Sequence, residues 1–129
     1  MTTEGTKSGQ TLYQRLGGYD VIASIIDDLL SRMRNDPKMQ RFGAGRGTDS
    51  LARARQLLVD QICALTGGPC VYIGRDMKTS HAGLHITESE WDTNLQYTLQ
   101  ALDKHRIPAK EKAEFIALFE RYRADIVGV

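Results

Sequence analysis

Long apolar runs are missing from this chain: none is long enough to cross a bilayer, and no charged-then-apolar leader opens it. Charge of one sign is missing too. Seventeen Lys and Arg stand against sixteen Asp and Glu, a formal net charge of +1 at pH 7. That balance argues against a nucleic-acid binder, which needs a basic surface to meet phosphate. Cysteine is confined to Cys63 and Cys70, which form no C-x-x-C and suggest no disulfide framework. The expectation is a cytoplasmic, reduced chain away from membranes, with Cys63 a small core residue and Cys70 a loop thiol. Proline occurs three times, and each falls where a helix is expected to stop or start. With 129 residues the chain is most simply one domain, large enough to bury a core and a cofactor. Residues 1–10 are polar and glycine-bearing and read as a flexible N-terminal extension, leaving 11–129 as the folded domain.

What is present is helical periodicity. A short helix is expected over Thr11 to Leu16, with Leu12 and Leu16 on one face and Gly17 as its stop. Gly17-Gly18 forms a hinge, and Asp20 can cap a helix over about Val21 to Arg34. Ile22, Ile25, Ile26, Leu29 and Met33 give that helix an i, i+3, i+4, i+7 stripe, flanked by Leu30. Asn35-Asp36-Pro37 ends it, and a single turn through Phe42 follows. Gly43 to Gly47 lacks the lysine and the strand context of a phosphate-binding loop and reads as a connection. Thr48, Asp49 or Ser50 can cap a third helix whose apolar face is Leu51, Ala54, Leu58, Ile62 and Leu65. Gly67-Gly68-Pro69 terminates it.

Thr87-Glu88-Ser89-Glu90 has the pattern of a capping box and opens a helix to about Lys104, with Trp91, Leu95, Thr98 and Leu102 on one face. Pro108 suits the first position of a last helix, on which Phe115, Leu118, Phe119, Tyr122 and Ile126 form one stripe. The fold class is all-α: four long helices and two or three short turns packed in two layers.

Chemistry is expected in the short stretch from Met77 to His85. Met77 and His81 are four apart and share a helical face. Taken alone, His81 fits either an ordinary polar residue closing a turn or an iron ligand, since a neutral imidazole on an apolar face binds iron readily.

Three fragments sharpen that choice: Leu12-Tyr13-Gln14-Arg15-Leu16-Gly17-Gly18; then Gly67-Gly68-Pro69 with Tyr72-x-Gly74; then Met77-x-x-x-His81-x-Gly83-Leu84, followed by Thr87 and Trp91. In this order and spacing the chain resembles a group I truncated haemoglobin, the two-over-two globin fold, from about Thr11 onward. The resemblance implies a helical sandwich around haem b (iron protoporphyrin IX), with His81 as proximal iron ligand. It implies that Tyr72 and Met77 touch the porphyrin edge and that Trp91 packs on the proximal side. Arg75 and Lys78 are the nearest basic residues for the propionates, and both are equally compatible with ordinary solvated charges.

The distal side departs from the family pattern. Members usually carry a tyrosine on the second helix and often a glutamine on the next. Register through Asp28 and Asp36 puts Leu30 at the tyrosine's place, and counting back from Gly67-Gly68 puts Leu58 at the glutamine's, with Ala54 one turn earlier. Gln61 is the nearest polar candidate, on an adjacent face, and is equally compatible with plain helix surface. A hydrogen bond to a charged group contributes ~1.5–3 kcal/mol, so an apolar distal wall weakens oxygen retention by roughly ten- to a hundred-fold. Carbon monoxide, which develops little charge, loses less.

His85 lies where a glycine is common. Gly83 interrupts the helix between it and His81, and no H-E-x-x-H glutamate accompanies the pair, so a propionate contact or plain exposure is expected rather than a zinc site. His105 is expected at the surface.

Two functional classes follow from the resemblance, and a third needs no cofactor. The first is reversible binding of a diatomic gas (oxygen, carbon monoxide or nitric oxide) for storage, transport or sensing, by a monomer. The second is a redox enzyme on the same scaffold, such as a nitric oxide dioxygenase with a reductase partner. Peroxidase chemistry needs a distal acid–base group, and no distal histidine is present to serve. The third is a helical adaptor, which would purify colourless.

Overall fold

The computed structural model describes residues 10–42 and 47–129. Most of the expected N-terminal extension, residues 1–9, and Gly43–Arg46 of the glycine loop lie outside the described residues, as do the side chains of Thr48 and Asp49. Helix α1 spans Leu12–Leu16, α2 Tyr19–Arg34, α3 Thr48–Leu65, α4 Met77–His81, α5 Glu88–Lys104, α6 Ala109–Glu120 and α7 Arg123–Ile126; a 3₁₀ turn covers Gln40–Phe42. No strand is present among the described residues, only an isolated bridge between Ile86 and Val127.

Local chemistry explains most boundaries. The Thr11 hydroxyl accepts from the Gln14 amide while the Gln14 side chain takes the Thr11 amide, a capping box that starts α1. Gly17 ends α1 with φ +112°, where a Cβ would also stand 2.8 Å from Val21. The box expected at Thr87 and Glu90 forms with both hydrogen bonds at 3.0 Å. Three expectations shift. Gly18, not Asp20, occupies the cap of α2, and Asp20 sits in its first turn, where a carboxylate favours the positive helix end. Gly47 holds the cap position of α3, which begins at Thr48. Pro108 caps α6 rather than entering it, and the expected last helix breaks at Arg121-Tyr122 into α6 and α7.

The layers are two helix pairs. Helix α2 packs on both α3 and α5, α5 packs on α6, and α1 closes against α2 and α6. Ile22, Ile25, Ile26, Leu29, Val59, Ile62, Leu102 and Phe115 form the buried centre. Each such side chain contributes about 1.5–3 kcal/mol on leaving water. On α3 the apolar pattern divides. Val59, Ile62 and Cys63 enter the core, while Ala54, Leu58 and Leu65 stay half-buried and Leu51 is 38% exposed.

The two cysteines correct the expectation of free thiols: Cys63 and Cys70 form a disulfide, with Cα atoms 5.7 Å apart. The turn between them is the reason. Gly67 takes φ +95°, and Gly68 passes so close to α1 that a Cβ there would meet the Tyr13 ring at 2.4 Å and Cys63 Sγ at 2.8 Å. The chain therefore reverses within three residues and lays Cys70 beside Cys63. Spacing alone carries no trace of that reversal.

Candidate functional site

The site is built around α4, a five-residue helix that ends in His81. Asp76 starts it by accepting the Thr79 amide at 2.7 Å, and hydrogen bonds from Thr79 hold the Asp76 carboxyl below its usual range. At the other end the His81 ring turns back. Its Nδ1 lies 2.8 Å from the Met77 carbonyl oxygen and 3.0 Å from Ser80 Oγ. A carbonyl only accepts, so Nδ1 carries the proton and Nε2 keeps a free lone pair. The arrangement leaves His81 half-buried with one nitrogen oriented and the other available to a metal.

Helix α7 packs on α4, and α3 reaches it through a side-chain contact. Gln61 Nε2 donates to Met77 Sδ at 3.2 Å, joining the two elements side chain to side chain. Gln61, Leu65, Tyr72, Asp76, Met77 and Tyr122 border a cavity of about 220 Å³. The Tyr72 hydroxyl donates to the Arg75 carbonyl at 2.5 Å, and burial pushes its phenol up. Leu30, Leu58 and Leu65 pack against the core from its rim, each half-buried.

Of the residues picked out by sequence, Gln61, Tyr72 and Met77 come together at that cavity, and Met77 and His81 share α4. Leu30 and Ala54 are half-buried on α2 and α3. Arg75 and Lys78 are exposed. Trp91 is buried, its indole N–H donates to Glu120 at 3.1 Å and the Arg123 guanidinium lies over its ring, so its polar contacts are with α6 and α7. His85 is exposed with φ +50°, in the left-handed region, and its amide donates to the Val129 carbonyl. His105 caps α5 and directs Nδ1 to the Ala101 carbonyl, half-buried rather than free at the surface.

Sequence reasoning passed over Ser80, Asp76 and Arg41. Asp76-x-x-Thr79 was legible as a helix cap. Arg41 was not: it reaches across 49 residues to a bidentate pair with Glu90 and also donates to the Leu84 carbonyl, pinning the loop that follows His81.

The residues fit a haem. His81 has one ring nitrogen oriented by a carbonyl, and on α2 and α3 Leu30, Leu58 and Leu65 stay half-buried, which is the donor and the apolar surface a porphyrin needs. The fold is that of the two-over-two globins. A truncated haemoglobin of Tetrahymena pyriformis in its Fe(III) form superposes with a TM-score of 0.85 at 22% identity, over 93% of this chain and 100% of that one. The haemoglobin of Chloroflexus aurantiacus superposes with a TM-score of 0.80 at 21% identity, over 93% and 99%.

The bacterial-like globin family model matches residues 11–127. A group 1 truncated haemoglobin, GlbN, of Nostoc sp. (strain MUN 8820) is 31% identical over 78% of this chain and 83% of its own length. The group 1 truncated haemoglobin of Tetrahymena pyriformis is 28% identical over 92% and 96%. The chain belongs to the bacterial-like globins and, within them, to the group 1 truncated haemoglobins; it is a haem globin.

Proposed function

We propose that this globin binds a diatomic gas reversibly at haem b, carried by residues 11–129. The observation that supports it is the His81 ring, held through Nδ1 by the Met77 carbonyl so that Nε2 is free. When bound, haem would supply an iron that His81 holds and at which a gas can bind.

This chain's residues do the rest. His81 ligates through Nε2, and the Met77 carbonyl and Ser80 hydroxyl hold its ring in one orientation. Tyr72 and Met77 would border the porphyrin edge, Arg75 and Lys78 would meet the propionates, and Trp91 would back the proximal side. Leu30, Ala54 and Leu58 form an apolar distal wall that excludes water. Gln61, one turn beyond Leu58 on α3, supplies a polar group to it. Its amide carries two hydrogens, and one is engaged by the weakly accepting Met77 sulfur. The other can meet a ligand that develops negative charge. Helices α2 and α3 carry no histidine to serve as a distal acid–base group, which favours binding over peroxidase chemistry.

Visible spectra of the purified protein in ferric, ferrous and carbon-monoxide forms test this. A red protein with an intense violet band and an imidazole–iron signature is expected. A colourless protein that takes up no added haemin overturns the reading. Consumption of nitric oxide in the presence of oxygen and a reductase would instead assign the dioxygenase.

A further inference from the structure

The Cys63–Cys70 bond lies at the root of the segment that carries His81. Cys63 is fully buried on α3, whereas Cys70 is partly exposed. The residues after it open to solvent, Val71 at 75% and Ile73 at 72% exposure. Among the described residues, no backbone–backbone hydrogen bond involves residues 69–75. Tyr72 lies against Gly74 and donates to Arg75, so these contacts of the loop are internal to it. Immediately beyond, Asp76 caps α4. The disulfide is thus the covalent tie between α3 and a loop with no backbone hydrogen bond of its own among the described residues, and of its two cysteines Cys70 is the partly exposed one.

We propose that Cys63–Cys70 is a thiol-exchange site, opened by an external dithiol at Cys70, and that opening it loosens α4 and the hold on haem through His81. The second half rests on the haem reading above. A thiolate of the dithiol attacks Cys70 Sγ, the Cys63–Cys70 bond breaks, and a mixed disulfide forms. Cys63 leaves as a thiolate and takes up a proton, the form favoured where it is buried. The dithiol's second thiol then displaces Cys70, which is protonated in turn. Two electrons and two protons pass to the globin, and the partner is left as a disulfide. Opening restores conformational freedom to the chain between α3 and α4, and the support that orients His81 weakens. In a reducing compartment a bond of this kind is transient and serves as a sensor.

The test uses the haem-loaded protein, ferrous in all arms and free of oxygen. It is incubated with dithiothreitol or with a reduced thioredoxin-type C-x-x-C protein, and thiols are counted by alkylation and mass spectrometry. Two new thiols are expected, at Cys63 and Cys70. Faster reduction by the protein dithiol names a protein as the source, and equal rates name the small-thiol pool. Amide exchange over residues 70–81 then speeds up. Haem passes to excess apomyoglobin about tenfold faster, the lower end of what losing a ligand-orienting contact costs a metal site. Cys63→Ala with Cys70→Ser starts at the faster rate and ignores dithiols. A bond that neither dithiol opens, or that opens without changing amide exchange and haem transfer, overturns the proposal. Failure of His81→Ala to weaken haem binding overturns the haem reading instead, because the thiol count and amide exchange do not depend on a His81–iron bond.

Discussion

Gln61 on α3 and Met77 on α4 are joined side chain to side chain, the amide nitrogen 3.2 Å from the thioether sulfur. This contact bridges the helix that carries Leu58 and the turn that carries His81. A thioether is a weak acceptor, so the amide gives up little by turning toward a better one. Gln61→Leu is expected to release oxygen roughly tenfold faster, the loss of one hydrogen bond to a charge-bearing ligand. Carbon-monoxide release should hardly change. Stopped-flow dissociation of both gases measures this, and small, equal effects on the two would leave Gln61 with only its Met77 contact.

His81→Ala is expected to abolish stable haem retention and the imidazole–iron signature of the ferrous spectrum. His85→Ala should leave both in place, since His85 is exposed and its backbone amide, not its ring, is tied to Val129. Haem retention on gel filtration, with spectra of the retained fraction, compares the two.

Leu30→Tyr adds a phenol at a half-buried position of α2. A donor there is expected to slow oxygen release by roughly ten- to a hundred-fold, using ~1.5–3 kcal/mol for a hydrogen bond to a charged group. An oxygen dissociation rate that is already slow in the wild type and unmoved by the substitution would place Leu30 away from the gas.

Glu90 accepts from the Arg41 guanidinium and from the Thr87 amide, and together they lower its carboxyl to about 2, with Arg41 the larger cause. A depressed carboxyl stabilises the fold above its ordinary value near 4.5, and the contribution is lost as pH falls toward 2. Glu90→Gln keeps the reciprocal cap on Thr87 but removes the ion pair. It should lower stability at pH 7 by about 1 kcal/mol or less, because Arg41 is half exposed. Urea midpoints from pH 7 to pH 2 should converge for the two proteins at the acid end. Parallel curves would show that the pair contributes nothing to acid sensitivity.

Some positions could be read before any packing was known. The capping box at Thr87, the stop at Gly17 and the stripe of α2 are local, depending on residues within one or two turns, so spacing predicts them. The apolar face of α3 was legible as a face but not as two. Only neighbours decide that Ile62 enters the core while Leu58 and Leu65 remain half-buried at its edge. Likewise the stripe from Phe115 to Ile126 is continuous in sequence, but the backbone breaks at Tyr122, where Ile126 continues beside α4 on a separate helix.

By itself the sequence determined where the long helices run, the stop at Gly17, the start at Thr87 and the segment carrying His81, because caps, glycine stops and 3.6-residue periodicity act over a few residues. Tertiary structure alone decided what depends on distant partners. It turned Cys70 onto Cys63 through the close passage of Gly68 beside Tyr13. It brought Arg41 to Glu90 and Gln61 to Met77. These contacts are set by how α2, α3 and α5 pack, and interlocking side chains from separate helices leave no mark in the spacing of any one of them.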